Sequence, residues 1–255
     1  MESVDIDIRD WVATITLNRP AKLNAMTPEM SGQLMSLVQA CNDDASVRVV
    51  VLTGAGERSF CVGSDVRDLD RYPEPWSFRN RSDYVDALRQ LRKPLIVAVN
   101  GMAFGGGLEM TLAADIRIAS TTASFAAPEI KLGWVGGGGV AHALSHSIGT
   151  SNAAVMIMTG EPITATQAGL WGLVSEVVPP ESLMLRAHAL AEVIASRAPI
   201  AAETAKLNLR AAFNMTRDMA FAYERELQTI CFATQDAAEG RAAFKEKRPP
   251  KFSGK

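Results

Sequence analysis

A chain of 255 residues with 47% hydrophobic side chains can bury one large core, or one core and a small appendage. Its net charge of −2 gives no strong field to gather nucleic acid or anionic lipid, so neither nucleic acid nor a membrane is an expected partner. Cys41, Cys61 and Cys231 are odd in number and far apart, which fits reduced thiols in a cytoplasmic protein and not a disulfide frame; three histidines outside metal-ligand spacing give no zinc site.

The opening MESVDIDIRDW is acidic, with no cationic region leading into an apolar stretch, so no secretory or transit signal is expected. No run reaches the ~18 apolar residues of a membrane span. VDIDI and WVATITLN read as paired strands. In the second, Trp11, Ala13, Ile15 and Leu17 alternate with Thr14, Thr16 and Asn18, and Val12 breaks the pattern slightly. A helix follows with Thr27 as N-cap, Pro28 first and Glu29 in the opening turn, and with Met30, Leu34, Leu37, Val38 and Cys41 on one face. VRVVVLTG (47–54) is a continuous β-branched run, the mark of a strand covered on both sides. A helix near 79–92, the strand PLIVAVNG, a helix from the glycines to about Ala114 and the strand DIRIAS repeat the pattern. Strand then helix, repeated, predicts an α/β architecture with largely parallel pairing. After GLVSEVVP the strands stop, and the chain from about 181 reads as helical, broken at Pro199. That change divides it into an α/β core, 1–180, and a helical portion, 181–255.

The stretch NGMAFGGGLEM (100–110) sets three glycines before a lone acid. Glycine lets another backbone or a ligand approach closely, and the first amides of a helix have no internal acceptor, so the junction is either a tight packing turn or a pocket of N–H donors. Positions 108, 110, 112, 113 and 114 are apolar, so Glu109 falls on a buried helix; it is either salt-bridged, with Arg117 as the partner, or kept for chemistry. Glu129, after Pro128 in SFAAPEIKLGW, is either a solvated loop acid or one aimed into a cleft. Two carboxyls beside an N–H pocket would make a complete acid–base site. GGGGVA (136–141) and GAGERS (54–59) imitate dinucleotide motifs but lack the strand–turn–helix context, and neither a P-loop nor a nucleophile elbow is present.

Several segments in order carry a resemblance over nearly the whole chain. They are LNRPAKLNAM (17–26), LTGAGERSFCVGSDVRDL (52–69), KPLIVAVNGMAFGGGLEMTLAADIRIAS (93–120), FAAPEIKLGWVGGGGVAHALSHSIG (125–149), MTGEPITATQAGLWGLVSEVVP (158–179) and the tail EGRAAFKEKRPPKFSGK. Together they resemble the enoyl-CoA hydratase/isomerase, or crotonase, family. The resemblance implies a ββα spiral core with a C-terminal all-helical oligomerisation region, assembled as a homotrimer or a dimer of trimers. It implies no separate cofactor: coenzyme A enters as part of an acyl-CoA thioester substrate, in the setting of fatty acid metabolism. The family's oxyanion hole maps onto the backbone amides of Ser64 and Gly106, and its two catalytic glutamates onto Glu109 and Glu129. Both acids being present points to hydration of a trans-2-enoyl thioester; the alternatives on the same scaffold are isomerisation, carnitinyl-type dehydration and thioester hydrolysis. Coenzyme A contacts map onto Lys22, Leu23, Val62, Ser64 and Asp65, with Phe244, Lys247 and Lys251 supplied by a neighbouring subunit's tail; without the resemblance these lysines read as solvated surface. Where the family has proline before its glycine cluster, this chain has Trp134 and Val135. The segment DRYPEPWSFRNRSDY (70–84), with Tyr72, Trp76, Phe78, Arg79, Arg81 and Tyr84, either shapes an acyl pocket for a ring or polar group or caps a loop; Tyr72, Trp76 and Trp134 are the candidate pocket residues.

Overall fold

The computed structural model describes residues 3–81 and 83–255. Met1 and Glu2 of the leader reading, and Ser82 of the variable segment, lie outside the described residues. In chain order the elements are β1 (Ser3–Arg9), β2 (Val12–Asn18), α1 (Pro28–Asp43), β3 (Val49–Gly54), β4 (Ser59–Cys61), α2 (Val66–Leu69), α3 (Pro75–Arg79), α4 (Tyr84–Gln90), β5 (Leu95–Val99), β6 (Met102–Phe104), α5 (Gly106–Leu112), β7 (Ile116–Ser120), β8 (Ser124–Ala126), α6 (Val140–Ile148), α7 (Thr150–Thr159), β9 (Ile163–Thr164), α8 (Ala165–Trp171), β10 (Glu176–Val178), α9 (Leu183–Ala195), α10 (Pro199–Asn214), α11 (Arg217–Phe232) and α12 (Gln235–Glu246). Short 3₁₀ turns occupy Pro20–Lys22, Pro128–Leu132 and Pro180–Ser182.

One sheet has the order β1-β2-β3-β5-β7-β10 and the other β4-β6-β8-β9. Only β1–β2 and β8–β9 are antiparallel among these pairs. Three times the chain runs up a strand of the first sheet, turns into a strand of the second and leaves through helix: β3-β4, β5-β6 and β7-β8. This is the ββα spiral implied by the resemblance. The central strands are largely apolar, β5 entirely so, because both faces are covered. Val50 and Leu52 point into the main core with Leu34, Val97 and Leu108, while Val49 and Val51 face α9. That helix lies on the sheet through Leu183, Ala187, Ala191 and Ala195, a stripe at every fourth residue whose small side chains allow close approach. The first helix beyond 181 thus covers the sheet, and α10–α12 continue past it.

Two expectations change. Trp11 is not a strand residue. Asp10 and Trp11 form a two-residue hairpin turn with φ of 47° and 67°, the positive pair that a tight hairpin requires, joining Arg9 to its partner Val12. Trp11 is 47% exposed and the Arg48 guanidinium lies 3.9 Å from its ring centroid, so Val12, not Trp11, supplies the buried side chain there. The helix expected over 79–92 is two pieces. Asn80 Nδ2 donates back to Trp76 O, ending α3, and Asp83 Oδ1 accepts from Val85 N at 2.8 Å, starting α4 afresh.

The loop 19–26 is tied to the spiral by Asn24, which is fully buried at φ 56°. Its Nδ2 donates to Ala55 O and Ser59 O, both at 3.0 Å, and its Oδ1 accepts from Arg19 N at 2.9 Å. Asn24→Ala leaves buried groups unpaired and puts alanine where asparagine is favoured, so a loss of about 3 kcal/mol is expected by denaturant titration, with an unchanged m-value.

Candidate functional site

The site forms where two loops of the spiral meet. After β4 the chain turns through Gly63 at φ 92°. Met26 N donates to Gly63 O at 2.8 Å and Asp65 N to Met26 O at 2.9 Å, so the peptide between them is strapped down on both sides. Ser64 N, between these bonds, has no acceptor among the described residues. Asp65 completes the strap: Oδ2 pairs with Arg19 at 2.8 Å and Oδ1 caps α2 through Arg67 N. After β6 the chain turns through Gly105 at φ 53°, whose amide donates to Ala126 O, and α5 starts at Gly106. Gly106 N is a first-turn amide and it too lacks an acceptor among the described residues.

The two loops touch backbone to backbone. A Cβ on Gly63 would stand 2.9 Å from Gly106 N, and one on Gly107 would run into Cys61 O. The Cys61 thiol accepts from Gly63 N at 3.3 Å, and burial pushes this thiol up to about 12, so it stays a neutral packing group. The glycines therefore serve close packing and the N–H pocket together; the two readings of the triplet are one arrangement.

Glu109 is 7% exposed on α5. Its Oε1 accepts from Gly138 N at 2.6 Å, and the described residues include no ion pair with Arg117. Burial pushes its carboxyl up to about 7; the Gly138 N–H works against this, and the charge of Glu129 adds to it. Glu129 is not on a loop but in the first turn of the 3₁₀ segment 128–132, half-buried. Its Oε1 lies against Gly105, 3.0 Å from where a Cβ would sit, and its buried Oε2 has no partner among the described residues. Burial raises this carboxyl as well. Two acids whose affinity for protons is raised by burial, beside two unpaired amides, can take a proton from one atom and give one to another while an anion is stabilised at the amides.

The glycine run 136–139, set aside as an imitation of a nucleotide motif, works here. A Cβ on Gly136 would be 2.8 Å from Glu109 Oε1, and one on Gly138 would be 2.5 Å from Oε2. Arg89 holds this run in place by donating to Gly138 O. Sequence reading missed Gly138 and Arg89. The signal was available in an acid on α5 that needed a donor and a glycine run with no assigned task.

Ser64 also lines a cleft of about 420 Å³ with Met26, Thr27, Ser31, Met35, Asp68, Leu69, Tyr72, Arg81 and Tyr84. Of the three candidate pocket residues, Tyr72 belongs to that lining. Trp76 is 68% exposed outside it, with Arg79 stacked over its ring, and Trp134 is an exposed residue whose amide donates to Glu129 O. Lys22, exposed, and Leu23, at φ 54°, sit on the loop that Met26 and Arg19 tie to Gly63 and Asp65, so the structure gathers these with Val62 and Ser64. Phe244, Lys247 and Lys251 lie elsewhere in this chain. Phe244 is 86% exposed, Lys247 ends α12, and Lys251 lines a separate cavity of about 470 Å³ that shares no lining residue with the cleft.

Among the described residues no helix is long and apolar enough to cross a membrane, and no group of His, Cys, Asp and Glu is arranged to hold a metal ion.

Residues 7–255 match the family model described as enoyl-CoA hydratase/isomerase. Curated relatives include the (E)-benzylidenesuccinyl-CoA hydratase of Thauera aromatica, 38% identical over 98% of this chain and 99% of that protein. The 2,3-dehydroadipyl-CoA hydratase of Escherichia coli K12 is 37% identical over the full length of both. Among solved structures, an enoyl-CoA hydratase from Bacillus anthracis superposes with a TM-score of 0.93 at 35% identity, covering 99% of each chain. Since the match spans residues 7–255, nearly the whole chain, the chain belongs to the enoyl-CoA hydratase/isomerase family.

Proposed function

We propose that this protein is an enoyl-CoA hydratase that adds water, syn, across the double bond of a trans-2-enoyl-CoA thioester to give the 3-hydroxyacyl-CoA. The observation that carries the reading is the pair Glu109, buried, and Glu129, half-buried, whose affinity for protons is raised, beside the unpaired amides of Ser64 and Gly106. Acid and base roles both gain from raised values, because a group that gives up and recovers a proton each turnover works best near the ambient pH. The thioester oxygen accepts from the two amides. Glu109, ionised, takes a proton from water as its oxygen bonds to C3; the π electrons move toward the carbonyl, making it enolate-like, and Glu129, protonated, gives its proton to C2. Return of the proton from Glu109 to Glu129 through solvent restores the site. The Ser64 side chain has no part in this step, which uses its amide.

Coenzyme A is held by Lys22, Leu23, Val62, Ser64 and Asp65, with Phe244, Lys247 and Lys251 of a neighbouring copy reaching the nucleotide. Assembly in trimers, singly or paired, is supported by the helices past 199. Leu207, Phe213, Phe221, Ile230 and Phe232 are 43–64% exposed there, apolar area that a second copy would cover, while Leu227 is buried within the chain. The domain division at about 180 is assigned on the same basis, with α10–α12 as the assembly portion. The reading places the enzyme in the cytoplasm, in keeping with three free cysteines, and in fatty acid metabolism broadly; no separate cofactor is assigned.

The direct test replaces each acid. Glu109→Gln and Glu129→Gln are each expected to lower turnover by roughly 10²-fold with thioester binding little changed, and the double variant should lose less than the product of the two. Full turnover in either single variant, at equal folded fraction, rules out the two-carboxylate mechanism.

Ionisation gives a second check. The activity of the free enzyme should fall on the acid side of about pH 7 as Glu109 takes up its proton. Folding stability should run the opposite way: the native carboxyl keeps its proton up to about 7, the unfolded one only to about 4.5, so its contribution is complete below 4.5 and lost as pH rises through 7. Denaturation across that range should lose on the order of 3 kcal/mol, and Glu109→Gln should flatten the slope. Light scattering at micromolar concentration should report a trimer or a multiple of it; a monomer contradicts the assembly.

A further inference from the structure

Two hydroxyls lie where the hydration steps do not use them. Tyr84, the first residue of α4, is 6% exposed, and its Oη is 3.1 Å from Ser64 Oγ. The same ring lies over Gly106: a Cβ there would be 2.8 Å from Tyr84 Cζ and would overlap Oη. Tyr84 therefore touches both residues whose amides are unpaired, and the hydroxyl pair lines the cleft together with Met26, Met35, Leu69 and Tyr72.

Two hydroxyls hold two protons, and one bond between them uses only one. Whichever donates, the second O–H is left over, and neither oxygen has another side-chain partner among the described residues. A buried donor without an acceptor costs about 1–3 kcal/mol, whereas phenylalanine and alanine would fill the same space without that cost. The cleft's charged groups do not supply the missing acceptor: Asp68 pairs with Arg71 at 2.8 Å and Arg81 with Asp83 at 3.1 Å, so each is already answered. Of the other hydroxyls in the lining, Thr27 accepts from Met30 N and Ser31 donates to Thr27 O, both in the opening turn of α1, and the Tyr72 ring packs edge-on against Phe78, while Met26, Met35 and Leu69 are apolar. The spare hydroxyl proton of the Ser64–Tyr84 pair is the directional feature beside the two amides.

Resting on the hydratase reading, we propose that Tyr84 is a specificity-determining residue, and that the Ser64–Tyr84 pair selects enoyl thioesters whose acyl group carries an oxygen acceptor within a few bonds of the double bond. An unsubstituted alkyl chain leaves the proton buried and unpaired, and is disfavoured for that reason.

The experiment compares trans-2-hexenoyl-CoA with analogues whose terminal methyl is replaced by carboxamide or by carboxylate. It uses the wild type and Tyr84→Phe, with kcat and KM measured separately and with calorimetric binding of the saturated analogues. The wild type should favour at least one oxygen-bearing thioester by about 10-fold or more in kcat/KM. Preference for carboxamide and carboxylate alike identifies the neutral acceptor as sufficient; preference for carboxylate alone makes Arg81 the second contact. Tyr84→Phe should bring the ratio near one by weakening only the oxygen-bearing substrates, leaving hexenoyl-CoA within about two-fold. Equal use of all three by the wild type overturns the inference, as does an equal slowing of all three in Tyr84→Phe, which would make the phenol part of the shared machinery. If none of the thioesters is hydrated, the hydratase reading falls. The saturated analogues then decide the inference by themselves: tighter binding of the oxygen-bearing ones, lost in Tyr84→Phe, supports it, and equal affinities overturn it.

Discussion

Gly63 and Gly106 meet so closely that a Cβ on the first would stand 2.9 Å from the amide nitrogen of the second. Everything the site offers depends on that contact. The turn after β4 and the turn after β6 belong to successive coils of the spiral, and parallel pairing of β4 with β6 brings them side by side. Side chains at either position would hold the coils apart and separate the Ser64 amide from the Gly106 amide. The three glycines 105–107 are not interchangeable. Gly105 takes φ 53° and leaves room for the Glu129 carboxyl, Gly106 leaves room for the Tyr84 ring, and Gly107 lets α5 seat on Cys61. A Cβ at Gly106 would displace the phenol as well as crowd the thioester, so alanine there perturbs two features at once.

The two acids depend on each other through the same packing. Burial alone would keep both protonated, and a site with two neutral carboxyls has no base. The Gly138 N–H opposes this at Glu109, although burial still carries that carboxyl up to about 7, while Glu129 is raised by burial and keeps a buried oxygen with no partner among the described residues. The charge of Glu129 raises Glu109 further, which disfavours two ionised carboxyls side by side. The glycine run that donates to Glu109 is itself held by Arg89, on a helix that begins with Tyr84, so α4 supports both the acid and the cleft wall.

Much of this was legible in the chain. Strand periodicity and the β-branched run at 47–54 give the sheet, and the Thr27–Pro28 signal gives α1, because these patterns report local backbone preference and a single buried face. Glu109 stands out because an acid on an apolar helix contradicts its surroundings. Trp11 misleads for a related reason: alternation cannot distinguish a strand residue from the turn residue just before it, and the hairpin was settled by two positive φ angles that neither Asp10 nor Trp11 announces. Nor does local pattern identify the donor to Glu109. Gly138 is 29 residues away, and only the third coil of the spiral brings it there. Tyr84 reads in sequence as a pocket or loop-capping candidate of the segment 70–84, but nothing local places its ring on Ser64 and Gly106.

A buried carboxylate oxygen without a partner and a hydroxyl pair with a proton to spare are costs that folding alone would not retain. Both lie within the same few residues of two amides that also lack acceptors. The surrounding structure is satisfied by contrast: Asn24 uses its donor and acceptor, Asp65 is paired and capping, and Lys206 answers Asp115 while donating to Lys93 O. Asn208 Oδ1 on α10 is also buried without a partner among the described residues, but only at the site do an unpaired carboxyl oxygen and two unpaired amides lie together. The paired groups around it, Asn24 and Asp65 above all, hold the loops in place and so sustain this local deficit.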